Sequence, residues 1–179
     1  MYGIVNQAIK SHIISTYGED KWEAVKKRID SSIDFVSNEQ PYNDDTTYHL
    51  AQAVADEMQL PIDKVLLDFG ESVTKIITQN VQGYMDSRGD NLKEYLINLP
   101  NFHNRMMLIY PALTPPEFQI SNIKENSINL HYISKTEGIR AFIKGYLTGL
   151  VHFFNEKVTI EPLELSNEES KQEVFKISW

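Results

Sequence analysis

The chain contains no cysteine in 179 residues. Disulfides, thiolate nucleophiles, zinc–cysteine sites and any metal held through a thiolate are therefore excluded. It also lacks an apolar run approaching the roughly 18 residues of a membrane-spanning helix. The opening MYGIVNQAIKSHIISTYG has no basic segment followed by a purely apolar stretch, which argues against a signal peptide. Positive charge is scarce: 17 Lys and Arg face 25 Asp and Glu, for a net charge of -8. Broad nucleic-acid binding and docking on an anionic membrane both need a basic surface, so this balance argues against them. A local basic patch is still open, for example Lys21 to Arg28. Cytoplasmic residence is the expectation.

Several motifs are missing too. There is no Walker loop, GxGxxG, GxSxG or EF-hand loop. The histidines are His12, His49, His103, His131 and His152, and none forms the i, i+4 pair of a zinc-binding HExxH helix. A multi-histidine metal centre has no support.

Hydrophobic residues make up 41% and aromatics 11%, enough to bury one sizeable core. The length suits one domain, or one compact domain of two lobes. The first 110 residues read mainly as helix. Ile4, Val5, Ala8, Ile9, His12 and Ile13 recur at helical spacing, with Gly18 as the stop. Glu19 to Ile29 is a second short helix, and residues 31–44 form a loop. Asp44, Asp45 and Thr46 are read as caps of a helix from about Thr47 to Met58. Pro61 suits the first turn of the next helix, which carries Val65, Leu66, Phe69, Val73, Ile76 and Ile77. Gly70 inside it costs about 1 kcal/mol against alanine and so needs a packing or hinge reason. After a break at residues 83–90, Asn91 caps a helix that runs to about Ile109.

Pro111, Pro115 and Pro116 then end the helical pattern. Glu117 to Ser121 and Ser127 to Ile133 read as strands joined by a turn at residues 124–126. Gly138 to Phe154 is a strongly apolar helix. Lys157 to Leu163 and Glu173 to Ser178 read as strands that complete a meander. The charged run from Glu161 to Glu173 reads as a solvated edge. Helices first and antiparallel strands later make an α+β fold in which a sheet packs on helices.

Two groups of residues carry chemistry. Leu92, Leu96, Leu99, His103 and Met106 share one helix face, so His103 points where the leucines point. From that face alone, a packed core histidine is the plainer reading. Tyr132 and Ser134 stand two apart in a strand and project from one side. Lys135 and Arg140 lie close by and suit an anion. An imidazole and two hydroxyls near an apolar helix suit a haem: the nitrogen ligates iron and the hydroxyls meet the propionates.

Read in order, MYGIVNQAI, GEDKWEAVK, YNDDTTYHL, LLDFGES, NLPNFHNRMMLIYPALTPPEF, LHYISKTEGI and VFKISW resemble the haem nitric oxide/oxygen-binding (H-NOX) family, which includes the regulatory domain of soluble guanylate cyclase. The resemblance covers nearly the whole chain. It implies an α+β domain over 1–179, with a helical lobe over about 1–60 and a pocket-bearing lobe over about 61–179. The second lobe would hold helices and a four-stranded antiparallel sheet, with haem b between the lobes. His103 matches the proximal iron ligand. Tyr132 and Ser134 match the first two members of a Tyr-x-Ser-x-Arg propionate motif. Pro116 matches a proline that presses on the porphyrin, and Ile4 an apolar residue packed on it.

The motif's arginine position is Thr136 here, which offers no guanidinium fork. Lys135 or Arg140 is the candidate substitute. The distal positions match Val73 and Phe142, neither of which carries a donor; Tyr146, one turn on, is the nearest tyrosine. The resemblance thus implies a sensor, not an enzyme. It would bind nitric oxide and carbon monoxide without a stable oxygen complex, and signal to a separate histidine kinase or cyclic-di-GMP enzyme. The alternatives are a haem-deficient interaction module, motivated by Thr136, and a haem peroxidase. The second would need distal acid–base residues that Val73 and Phe142 do not supply.

Overall fold

The computed structural model describes residues 3–29, 44–80, 89–109, 117–134, 138–164 and 172–179. Within them, helix α1 spans Gly3–Tyr17 and buries Val5, Ala8, Ile9 and Ile13. Gly18 ends it at φ 93°, a left-handed conformation that glycine adopts without a Cβ clash. Its N–H donates to the Ile14 carbonyl at 2.9 Å. Helix α2, Glu19–Ile29, starts on Glu19 and Asp20 and ends on Lys26, Lys27 and Arg28. Acids at the N-terminus and bases at the C-terminus both complement the helix dipole. Helix α3 spans Asp44–Met58, three residues earlier than its spacing indicates. Glu57 on α3 accepts from Lys21 at 3.1 Å and from Arg28 at 2.9 and 3.0 Å, tying α2 to α3.

Helix α4 is Ile62–Asn80 and helix α5 is Leu92–Ile109. Asn91 caps α5 as expected: its Oδ1 accepts from the Glu94 N–H at 2.9 Å. Strands β1, Glu117–Lys124, and β2, Ser127–Ile133, form a hairpin. Helix α6, Arg140–Phe154, precedes β3, Thr159–Leu163, and β4, Gln172–Ser178. The fold is α+β, as the pattern implied, with six helices and four strands among the described residues.

The sheet corrects one expectation. Its order is β1-β2-β4-β3, all antiparallel, and not a meander. The last strand lies between β2 and β3, and its Val174, Phe175 and Ile177 are buried. β3 takes the edge: it is mostly exposed and contains Pro162, which has no N–H for a ladder.

Helices α4 and α6 meet almost backbone to backbone. A Cβ on Gly70 would lie 2.1 Å from the Phe142 carbonyl oxygen, and one on Gly145 would lie 2.0 Å from the Leu67 oxygen. Thr74 Oγ1 also donates to the Tyr146 carbonyl at 3.0 Å. Close packing is the reason for Gly70.

Candidate haem site

The site is built on α5, β1 and β2. His103 lies in the second half of α5 and is half-buried. Its imidazole centre is 4.9 Å from that of the Phe118 ring, tilted by 40°. Phe118 in turn meets Tyr132 edge to face at 5.2 Å. That contact follows from the register, since Phe118 and Tyr132 are directly paired across β1 and β2. Both point inward: Phe118 and Tyr132 are buried, as are Ile128 and Leu130 on the Tyr132 side of β2. Phe102 adds an edge contact to His103 at 5.6 Å. Ser134 lies one residue past the end of β2 and is half-buried. The structure therefore joins His103 to Tyr132 through an aromatic residue that the sequence reading did not select. Alternation of Phe118 and Ile120 in β1 was the available signal.

Val73 and Phe142 are both buried, on the two helices that pack most closely, α4 and α6. Tyr146 does not point a spare hydroxyl from α6. Its Oη shares a 2.8 Å hydrogen bond with the hydroxyl of buried Tyr95 on α5. Nothing in the local sequence marks this pair.

Arg140 is held by two carboxylates. Its Nε donates to Glu173 at 2.5 Å and its Nη1 to Glu164 at 2.8 Å. These two carboxylates, Glu173 foremost, hold the guanidinium charged and raise its pKa. Glu164 and Glu173 therefore compete with a propionate for this guanidinium. Ile4 lies in α1, but its side chain is outside the described residues, as are Pro116, Lys135 and Thr136.

Elsewhere, His12 sits edge-on to Phe69 at 6.2 Å, and burial lowers its pKa from its ordinary value of 6.5. His131 Nε2 is 2.6 Å from Ser121 Oγ across the hairpin. Among the described residues, no three His, Asp or Glu side chains gather to hold a metal ion. One imidazole cannot hold iron alone. A half-buried histidine backed by aromatic rings is a donor set that fits a haem, because the porphyrin brings the remaining four nitrogens.

The family model described as Haem-NO-binding matches residues 2–162. The chain belongs to the haem-NO-binding (H-NOX) family. It is 25% identical over 177 residues to soluble guanylate cyclase gcy-31 of Caenorhabditis elegans, covering 98% of this chain and 25% of that protein. It is 23% identical over 170 residues to soluble guanylate cyclase 89Da of Drosophila melanogaster, covering 94% and 26%. The H-NOX chain thus spans about a quarter of the length of these curated relatives. Among solved structures, an H-NOX protein from S. oneidensis in the Fe(II)NO state is similar with a TM-score of 0.84. The two are 19% identical, over 99% of this chain and 98% of that one. An oxygen-binding H-NOX domain related to soluble guanylate cyclases is similar with a TM-score of 0.80, at 17% identity over 99% and 94%. These structures share the fold. No described helix is long and apolar enough to cross a membrane.

Proposed function

We propose that this H-NOX domain is a haem-based gas sensor in which His103 would hold the iron of haem b. The observation that carries this reading is the contact of His103 with Phe118, which holds the imidazole between α5 and the Tyr132 strand. When bound, ferrous haem supplies an iron position that takes a diatomic gas. His103 would hold that iron from α5. Tyr132 and Ser134 would meet the propionates, and Ile4 and Pro116 would pack against the macrocycle, as the family resemblance implies. Val73 and Phe142, both buried, would supply the apolar surroundings of the gas. Without a donor there, bound oxygen gains no hydrogen bond, whereas nitric oxide and carbon monoxide need none. Engagement of Tyr146 by Tyr95 supports the same selectivity. The domain reports occupancy to an effector, a histidine kinase or cyclic-di-GMP enzyme, from the cytoplasm.

Titration of purified protein with haem tests this reading. One haem per chain is expected, with loss in His103→Ala and recovery when imidazole is added. A specific observation favours a second reading, a haem-deficient interaction module. Thr136 replaces the motif arginine, and Arg140 is already paired with Glu164 and Glu173. Absence of stoichiometric haem in that titration selects it.

A further inference from the structure

Helix α5 changes character at Pro100. Before it, Leu92, Tyr95, Leu96 and Leu99 are all 1% exposed or less. After it, no described side chain is buried, and Leu108 is 82% exposed. Pro100 has no N–H, so the Leu96 carbonyl loses its helical partner and is crowded by the pyrrolidine ring.

The first half is also fastened at three places. Its Leu92 N–H donates to Glu156 at 2.8 Å. Lys93 donates to the carbonyls of Lys124 and Glu125, at 2.6 and 2.7 Å, in the β1–β2 turn. The Tyr95 hydroxyl meets that of Tyr146 on α6. The second half carries His103 and touches the sheet through Phe118.

We infer that Pro100 divides α5 into a fixed segment, 92–99, and a movable segment, 101–109, and that Tyr95 is the positioning residue that locks the fixed segment to α6. His103 lies three residues into the movable segment. A change of force on the imidazole is then absorbed beyond Pro100, while the Tyr95–Tyr146 bond keeps α6 and the first half of α5 in place. This rests on the reading of His103 as the haem ligand, but the division of the helix is testable without haem.

The experiment is amide hydrogen exchange on the full chain, with and without haem. Residues 101–109 are expected to exchange at least about tenfold faster than 92–99 in both. Pro100→Ala restores the backbone bond and should slow exchange in 101–109 selectively. In haem-loaded protein it should also raise the fraction that keeps His103 ligated after nitric oxide is added, read by absorption. Tyr95→Phe and Tyr146→Phe should each speed exchange in 92–99 and shift the iron–histidine stretching band. Equal protection on both sides of Pro100, or an equal response of both segments to Pro100→Ala, overturns the inference. A chain that takes up no haem but shows the exchange step refutes the haem reading alone.

Discussion

The His103 and Phe118 rings lie 4.9 Å apart at a tilt of 40°, so a helix residue and a strand residue share one aromatic contact at the centre of the site. Phe118 is buried and in register with Tyr132. Phe118→Ala should destabilise the domain by about 3–5 kcal/mol, the usual loss for a buried phenylalanine, read by urea unfolding. Phe118→Leu should keep most of that stability yet release haem several-fold faster, because the imidazole loses its backing ring. Unchanged haem release in Phe118→Leu would show that the ring does not orient His103.

The close approach of α4 and α6 gives a second prediction. Alanine is the better helix former by about 1 kcal/mol, but Cβ atoms at Gly70 and Gly145 would fall on backbone carbonyls. Gly70→Ala and Gly145→Ala should each destabilise, by about 1–3 kcal/mol or more, since neither helix has a flexible group there to move. Melting temperatures check this. A rise in either variant would mean the helices separate freely.

His12 gives a pH dependence. Burial favours the neutral ring, so its folded pKa lies below the unfolded one. The unfolded chain therefore binds more protons as pH falls through 6.5 toward the folded pKa. Stability is fully present above that window and declines across it. His12→Gln should flatten the acid side of the melting curve between pH 7 and 5. An unchanged slope would contradict the assignment to His12.

Thr136 gives a gain-of-function test. A guanidinium bonded to a carboxylate contributes about 1.5–3 kcal/mol. Thr136→Arg completes the propionate motif and should slow haem transfer to apomyoglobin by about tenfold to a hundredfold. No change would mean another cation already meets the propionates.

Much of this molecule was legible in its sequence, for identifiable reasons. Helix α2 has the bounds its charges and apolar spacing indicate, and Asn91 caps α5 because a short amide acceptor before a periodic run has one common use. Strand order was not legible, because pairing of β4 with β2 depends on burial across the whole sheet. Only Pro162 hinted that β3 is the edge. At the site, His103 and Tyr132 stood out, but Phe118 between them needed the register. The Tyr95–Tyr146 bond spans 51 residues and leaves no periodic trace. The pairing of Arg140 with Glu164 and Glu173 was not legible, because proximity in sequence to Tyr132 says nothing of partners 24 and 33 residues away.

The most direct test of the sensor reading is the absorption spectrum of the ferrous, haem-loaded protein, recorded before and after anaerobic nitric oxide and then in air, beside His103→Ala. The expected result is a five-coordinate histidine haem that responds to nitric oxide, forms no lasting oxygen complex, and loses its spectrum in the variant. A haem spectrum unchanged in His103→Ala, or an oxygen complex that persists in air, would contradict it.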